Sequence, residues 1–394
     1  MKSFLLQPKN ISPKLFRTHT QLVPTPIFSG PHLRLHSTQS GHSYLKTQTR
    51  LQHSSNIPVL ARNTSLSTRP VVCIKHRSAS VSKNHSISRA DFATFSTNTI
   101  EPVVHDIFEP VTGTWQYVVA DPNSKSAVII DPVLNYDPAK AAILTESADA
   151  LIKIVTENGY QVEIILETHV HADHITAASY IQASLRKIQG RKPLIGIGSR
   201  IKQVQDVFGE RYGVPAKEHE GVFDKLWDDD EEFAIGTLTA QAIHLPGHTP
   251  DHMGYRIGSN IFVGDSIFHV DIGSARTDFP GGSAEAIFNS GRKILSLPDD
   301  TKVWVGHDYP PAGRNAPVPF MTVKQQKEEN KHLRDGVIER EFIEMRRKRD
   351  ELLAAPRLLH PSLQINIRAG RLPAPTSSGQ RMVHLPLVLP KVTW

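Results

Sequence analysis

Val162-Glu-Ile-Ile-Leu166 runs through Glu167-Thr168 into His169-Val-His171-Ala-Asp173-His174, and this junction decides the fold. The apolar run reads as a buried strand. Four side chains of metal-ligating type then fall within six positions, a density that neither charge patterning nor core packing requires. The plain alternative, a solvated polar turn, is disfavoured by the low chance odds of His-x-His-x-Asp-His. Loops at strand ends, held by a rigid sheet, are where open α/β architectures keep ligands. The stretch therefore predicts a catalytic metal site on an α/β scaffold.

The same pattern recurs downstream. Leu238 to Leu245 alternates like a strand and ends in Pro246-Gly247-His248-Thr249-Pro250. Ile261 to Val263 runs into Gly264-Asp265, and Lys302 to Val305 into Gly306-His307-Asp308-Tyr309. His169, His248, Asp265 and His307 each follow an apolar strand, and adjacent strand ends converge on one edge of a sheet. A single Gly-Asp or Gly-His is more often a turn; repetition at four strand ends carries the inference.

Composition divides the chain of 394 residues. Met1 to Ala90 holds 13 Lys and Arg and no Asp or Glu, so the remaining 32 basic and 39 acidic residues give the body a net charge of −7. The overall +6 belongs to the leader. A negative body disfavours a nucleic-acid role, which needs clustered Lys and Arg on the folded part. A leader rich in Ser, Arg, Thr and His and free of acids has the composition of an organelle transit peptide. Residues 1–98 are therefore expected to be a mitochondrial transit peptide with a disordered linker, cleaved between about Arg89 and Thr99. A basic tail for anionic lipid or nucleic acid shares that charge pattern. The one cysteine, Cys73, lies in this leader, so the body is expected to lack disulfides, a Cys nucleophile and thiolate metal ligands. No apolar run reaches the about 18–20 residues that span a bilayer.

Within the body, Trp115–Ala120 and Ser126–Ile130 flank Asp121-Pro-Asn and predict a hairpin. Asp137-Pro138 predicts a helix start, with Leu144, Ala148, Leu151, Ile152 and Val155 at helical spacing and Gly159 as the stop. Ile175–Ile188 reads as a helix leaving the metal loop, and Leu194–Ile197 then Arg200–Phe208 as a strand and helix. Asp224 to Glu232, with six acids in nine positions, reads as an exposed hairpin turn. Ser283 begins a helix with Glu285 in its first turn. Helices over about 323–333 and 337–353 precede a Pro-rich tail, in which Met382–Leu389 offers an edge strand. The expected division is a leader, a catalytic domain over 99–355 and a C-terminal extension over 356–394. His244 is expected to be structural and His219 exposed, with His252 and His269 near the site but not ligands.

At Thr168-His-Val-His-Ala-Asp-His174, Gly247-His248, Gly264-Asp265 and Gly306-His307 the chain resembles the metallo-β-lactamase superfamily. The similarity spans about Glu101 to Leu333 and implies an αββα sandwich, two mixed β-sheets flanked by helices with metal at one edge. His171-Ala-Asp-His-Ile-Thr176, Leu245-Pro-Gly-His-Thr-Pro250, Ala275-Arg-Thr-Asp-Phe279 and His307-Asp-Tyr309 look like persulfide dioxygenases. Pro361-Ser-Leu-Gln-Ile-Asn-Ile-Arg-Ala-Gly-Arg-Leu-Pro373 is similar to the β-lactamase hydrolase-like branch. The resemblance implies oxidation of glutathione persulfide by O₂ to sulfite and glutathione in the mitochondrial matrix.

It also implies one Fe(II) per chain on His169, His248 and Asp265, the catalytic set. Two imidazoles and a carboxylate are the facial triad of non-haem Fe(II) oxygenases. His171, Asp173, His174 and His307 then either hold a second metal or orient the ligands of the first. Glutathione carries two carboxylates, so Arg276 is the first substrate-binding candidate, followed by Tyr309, Arg314 and Arg368. An ion pair with Asp278 is the structural alternative for Arg276. One rival function is a glyoxalase II-type thioester hydrolase with two zinc or iron ions and a water nucleophile. Another is a catalytically idle metal-binding protein, disfavoured because all seven metal-type positions remain intact. A homo-oligomer is compatible with the sequence.

Overall fold

The computed structural model describes residues 100–389. The expected transit peptide, its cleavage site and Cys73 lie outside the described residues. In chain order the elements are β1 (Val103–Glu109), β2 (Thr114–Ala120), β3 (Ser126–Ile130), β4 (Val133–Asp137), β5 (Ala142–Leu144) and α1 (Glu146–Glu157). They continue with β6 (Gln161–Leu166), β7 (Ile175–Thr176), α2 (Ala178–Gln189), β8 (Leu194–Gly198), α3 (Ile201–Tyr212), α4 (Ala216–His219) and β9 (Lys225–Trp227). The second half holds β10 (Glu232–Ile235), β11 (Leu238–His244), β12 (Met253–Ile257), β13 (Asn260–Phe262), α5 (Ala284–Leu295), β14 (Lys302–Trp304) and β15 (Phe320–Thr322). Three helices follow, α6 (Val323–Glu329), α7 (Glu339–Asp350) and α8 (Leu359–Asn366).

Two six-stranded mixed sheets result, ordered β1-β2-β3-β6-β8-β9 and β10-β11-β12-β13-β14-β15, with a small β5-β4-β7 sheet beside them. Side chains of a strand alternate between faces, and the two faces of β2 show where each layer sits. Val118 and Ala120 join Leu151, Ile181, Phe208 and Leu363 in a core beneath α1, α2, α3 and α8. Tyr117 and Val119 point the other way, to Tyr255, Phe262 and Trp304 of the second sheet. A third core sets Ile261 and Val303 against Ile287 of α5, Val323 of α6 and Phe342 of α7. Three cores between four layers make the αββα sandwich that the family resemblance implied.

Asp121 fastens the layers at the end away from the metal loop. Its carboxylate accepts from Asn123 N (2.9 Å) and Ser124 Oγ (2.6 Å) in its own hairpin. It also accepts from Thr237 N (2.7 Å) and Oγ1 (2.8 Å), in the β10–β11 turn of the other sheet.

Several local expectations are corrected. Asp137-Pro138 does not start α1: Asp137 ends β4 and accepts from Ala139 N and Lys140 N in a turn, leaving Thr145 as N-cap. An Asx turn and a helix N-cap share the same local chemistry, so the sequence alone could not separate them. The helix after the metal loop starts at Ala178, because Ile175–Thr176 first pairs with β4. The acidic stretch is not a hairpin turn: β9 pairs with β8 and β10 with β11, so it carries the chain from one sheet to the other. Its acids are largely engaged, Asp229 by Arg200 at 2.5 Å and Asp230 by Lys293 at 3.2 Å. His219 is buried rather than exposed, under Gly209 of α3. The Pro-rich tail contains α8, whose Leu363 and Ile365 enter the first core. Met382–Leu389 forms no strand.

Candidate metal centre and its cavity

The candidate residues converge where β6, β11, β13 and β14 end. β13 and β14 run parallel, so Gly264 and Gly306 leave their strands side by side, joined by Gly306 N to Gly264 O at 2.9 Å. A Cβ on Gly306 would lie 2.5 Å from Asp265 Oδ1; only glycine lets His307 and Asp265 share this corner. Gly247 sits at φ +138°, and a Cβ there would strike Ile287 N at 2.3 Å. That glycine seats the His248 loop against the start of α5.

Hydrogen bonding fixes which atom of each ring is free. Thr168 Oγ1 gives its proton to Asp131 Oδ2 (2.8 Å) and lies 3.0 Å from His169 Nδ1. The hydroxyl therefore accepts from His169 Nδ1–H, leaving Nε2 with its lone pair, buried and without a partner. His248 Nδ1 donates to Arg276 O at 2.8 Å, which likewise frees Nε2. Asp265 donates its backbone N–H to His252 Nε2 at 3.0 Å, and its Oδ1 is buried without a hydrogen-bond partner. One ligand atom from each of His169, His248 and Asp265 lies within 4.8 Å of the others. Burial, reinforced by the neighbouring imidazoles of His171, His252 and His248, holds His169 well below the usual imidazole range. It stays neutral, the form that ligates metal.

The remaining polar residues form a second tier. His171 Nε2 faces Asp131 Oδ1 at 3.1 Å and Glu167 Oε2 at 3.4 Å. Burial alone would lower its pKa, but the two carboxylates outweigh burial and raise it well above the usual range. His307 is raised in the same way, burial being outweighed by Asp265 and Asp173. Asp173 bridges His174 Nδ1 (3.1 Å) and His307 Nε2 (3.2 Å); those imidazoles hold its carboxyl low despite burial. His171, Asp173 and His174 form one further cluster of metal-ligating geometry, and Asp173, Asp265 and His307 another. All seven predicted metal-type residues are thus brought together.

A cavity of about 430 Å³ opens on His248, Asp265 and His307, with Phe268 and Ile272 on its apolar side. Tyr309 lines it, stacked on His307 with ring centroids 5.6 Å apart. Arg276 also lines it, but with its guanidinium engaged by Asp278. Two expected substrate residues are not brought there. Arg314 pairs with Asp271 at 2.8 Å and Asp308 at 2.5 Å, and Arg368 with Glu218 at 2.9 Å; neither lines the cavity. His244 is structural, bonded through Nε2 to Pro250 O at 3.0 Å.

Sequence reading missed the residues that hold the ligands. Asp131 follows the apolar strand Ser126–Ile130 just as the other candidates follow theirs, and that signal was available. Glu167 immediately precedes the motif and, buried, accepts from Thr176 Oγ1 at 2.5 Å. Asn366 of α8 donates from Nδ2 to His171 O and His174 O, both at 2.8 Å, and accepts from Thr176 N at 2.9 Å. Nothing local marks this asparagine as a clamp on a loop some 190 residues earlier.

The family model described as the metallo-beta-lactamase superfamily matches residues 110–307. The chain belongs to the metallo-β-lactamase superfamily. A probable metallo-hydrolase of Burkholderia pseudomallei is 43% identical over 296 residues, 72% of this chain and 98% of the relative. Glyoxylase B2 of Dictyostelium discoideum is 43% identical over 279 residues, 70% of this chain and 94% of the relative. The human mitochondrial persulfide dioxygenase ETHE1 is 29% identical over 210 residues, 52% of this chain and 68% of the relative. Among solved structures, ETHE1 from Myxococcus xanthus superposes with a TM-score of 0.54 at 26% identity, covering 68% of this chain and all of its own. As a superfamily member the chain is read as a metal-dependent enzyme. The bare donors on His169 and Asp265, with the anchored ring of His248, fit a first-row divalent ion.

Proposed function

We propose that this enzyme is a mononuclear iron persulfide dioxygenase of the mitochondrial matrix, oxidising glutathione persulfide with O₂ and water to sulfite and glutathione. The observation that carries the reading is the donor set at the metal edge. His169 and His248 are anchored through Nδ1 with Nε2 free, and with Asp265 they form one cluster of metal-ligating geometry. Two imidazoles and one carboxylate suit a single ferrous ion; His174, whose Nε2 is also buried and bare, belongs to a separate cluster with His171 and Asp173. The similarity to proteins named ETHE1 supports the reading, as does the acid-free leader. The body's net charge supports a small-molecule substrate rather than nucleic acid. Among the described residues no helix is long and apolar enough to cross a membrane.

Ferrous iron, if held there, would pass electrons from the persulfide sulfur to O₂, which redox-inactive zinc does not. The chain's own residues do the rest. Thr168 and Asp131 fix the His169 tautomer, and the Arg276 carbonyl fixes that of His248. His307, which lines the cavity, is held by Asp173 and Asp265, and His171 by Asp131 and Glu167, so both rings are fixed in place around the ligand set. Phe268 and Ile272 limit water on one side. The reaction balances: the outer sulfur loses four electrons, O₂ gains them, and water supplies the third oxygen of sulfite.

A second reading is favoured by the clusters around Asp173 and by the likeness to Glyoxylase B2: a dinuclear hydrolase of glutathione thioesters. The test gives purified, anaerobically iron-loaded protein either glutathione persulfide or S-lactoylglutathione. Stoichiometric O₂ uptake with sulfite release supports the dioxygenase. Thioester cleavage without O₂ uptake establishes the hydrolase instead.

A further inference from the structure

Four arginines line the cavity, and they are not equivalent. Arg276 donates from Nε and Nη2 to Asp278, both at 2.6 Å, and from Nη1 to Ala354 O at 2.9 Å. Arg346, buried, gives Nε (3.0 Å) and Nη2 (2.5 Å) to Asp350 and Nη1 to Ser274 O at 3.1 Å. Both forks are committed within the protein. Arg349, one helical turn beyond Arg346 in α7, and Arg357, just before α8, line the same cavity and are exposed. Neither guanidinium has a carboxylate partner among the described residues, in contrast to the paired Arg276 and Arg346.

Two guanidinium groups without a carboxylate partner thus line one partly apolar cavity, and an anion bound there would supply the counter-charge that neither has among the described residues. The positive field is already felt nearby: burial, then Arg346, Arg349 and Lys331, push His332 down to about 4. Planar guanidinium forks match carboxylates in bidentate geometry. A cavity of about 430 Å³ falls in the range that accepts a tripeptide-sized ligand.

We propose that Arg349 and Arg357 form the anion subsite of this cavity and receive the carboxylates of a small peptidyl thiol. Arg276 is then a clasp rather than a substrate ligand. It ties the loop behind His248 to Ala354, on the segment that presents Arg357. The subsite belongs to residues beyond 307, the last position matched by the family model, so this wall can differ among enzymes that share the metal edge. The ligand class rests on the function proposed above; the subsite itself does not depend on which reaction follows.

The test is calorimetric titration of the full, iron-loaded chain, without O₂, with reduced glutathione and with glutathione diethyl ester, whose carboxylates are blocked. Arg349→Gln and Arg357→Gln are each expected to weaken glutathione binding about 10-fold, with the diethyl ester bound equally weakly by all variants. Arg276→Gln is expected to lower the melting temperature and metal retention more than glutathione affinity. The proposal is overturned if the double variant binds glutathione as the unmodified protein does. It is equally overturned if the diethyl ester binds as tightly as glutathione, if glutathione does not bind at all, or if Arg276→Gln alone abolishes binding. Normal glutathione binding here, with no sulfite from glutathione persulfide and O₂ in the assay described above, leaves the subsite standing and removes the dioxygenase reading, so the two failures are distinguishable.

Discussion

The metal edge and the cationic wall opposite it are built on different principles. At the metal edge, ligands sit three or four residues past strands whose pairing is fixed by buried cores on both faces. The backbone there has little freedom, and Gly306 and Gly247 remove side chains that would otherwise collide with Asp265 and α5. The wall instead comes from α7 and the segment 351–358, where exposed Leu352 and Leu353 flank the arginines. Phe342 seats α7 in the third core, and Asp350, the Arg276 clasp and buried Leu358 hold the segment that follows. A buried edge suits chemistry that needs fixed donors, and an exposed wall suits recognition that varies with substrate.

That contrast can be broken most severely at the edge. His169→Ala or Asp265→Ala removes one of three donors; metal content after anaerobic loading should fall to background, and turnover with it. Retention of iron in either variant would mean the donors are misassigned. Next in size is Asp131→Asn, which leaves the packing volume unchanged but weakens the hold on Thr168 and His171. Metal affinity, read by chelator competition, should drop about 10–100-fold with little change in circular dichroism.

Asn366→Ala probes the join between the regions, because α8 reaches back to the metal loop. It leaves His171 O and His174 O without their buried donor and should cost about 2–4 kcal/mol of stability, read from denaturant midpoints. A loss below about 0.5 kcal/mol would show that the loop holds itself.

The smallest effect lies behind the wall. His332 Nδ1 accepts from Ser274 N at 3.0 Å, so the fold requires the neutral ring. With its pKa depressed to about 4 and an unfolded value near 6.5, the unfolded chain binds the extra proton between those limits. Stability should therefore fall as pH drops from about 6.5 to about 4, by about 1–2 kcal/mol after allowance for screening. His332→Gln should flatten that part of the melting-temperature profile.

How much of this was legible in the sequence follows the same division. His169, His248, Asp265 and His307 were found because an apolar strand announces its end and a polar residue there is conspicuous. The strands β2, β3, β6, β8, β11, β13 and β14 were readable from their apolar runs while β1, β9, β10, β12 and β15 were not, and Ser283 capped its helix where expected, accepting from Ala286 N. The wall was not readable. Arg276, Arg314 and Arg368 look alike as letters, and only their partners separate a clasp from a distant ion pair. Asp137-Pro138 shows the same ambiguity on a smaller scale, since one Asx group serves a turn or a helix. The helix α8 hid between prolines because its amphipathic pattern is short and it is buried along most of its length. Asp131 was missed although its context matches that of the four residues that were found.

The central claim is that His169, His248 and Asp265 hold a single iron while His171, Asp173, His174 and His307 hold none. Anaerobic reconstitution with excess Fe(II), removal of loose metal and elemental analysis per chain test it most directly. The account predicts one iron per chain, lost in Asp265→Ala and retained in His174→Gln. Two metal ions per chain, with one lost in His174→Gln, would contradict it.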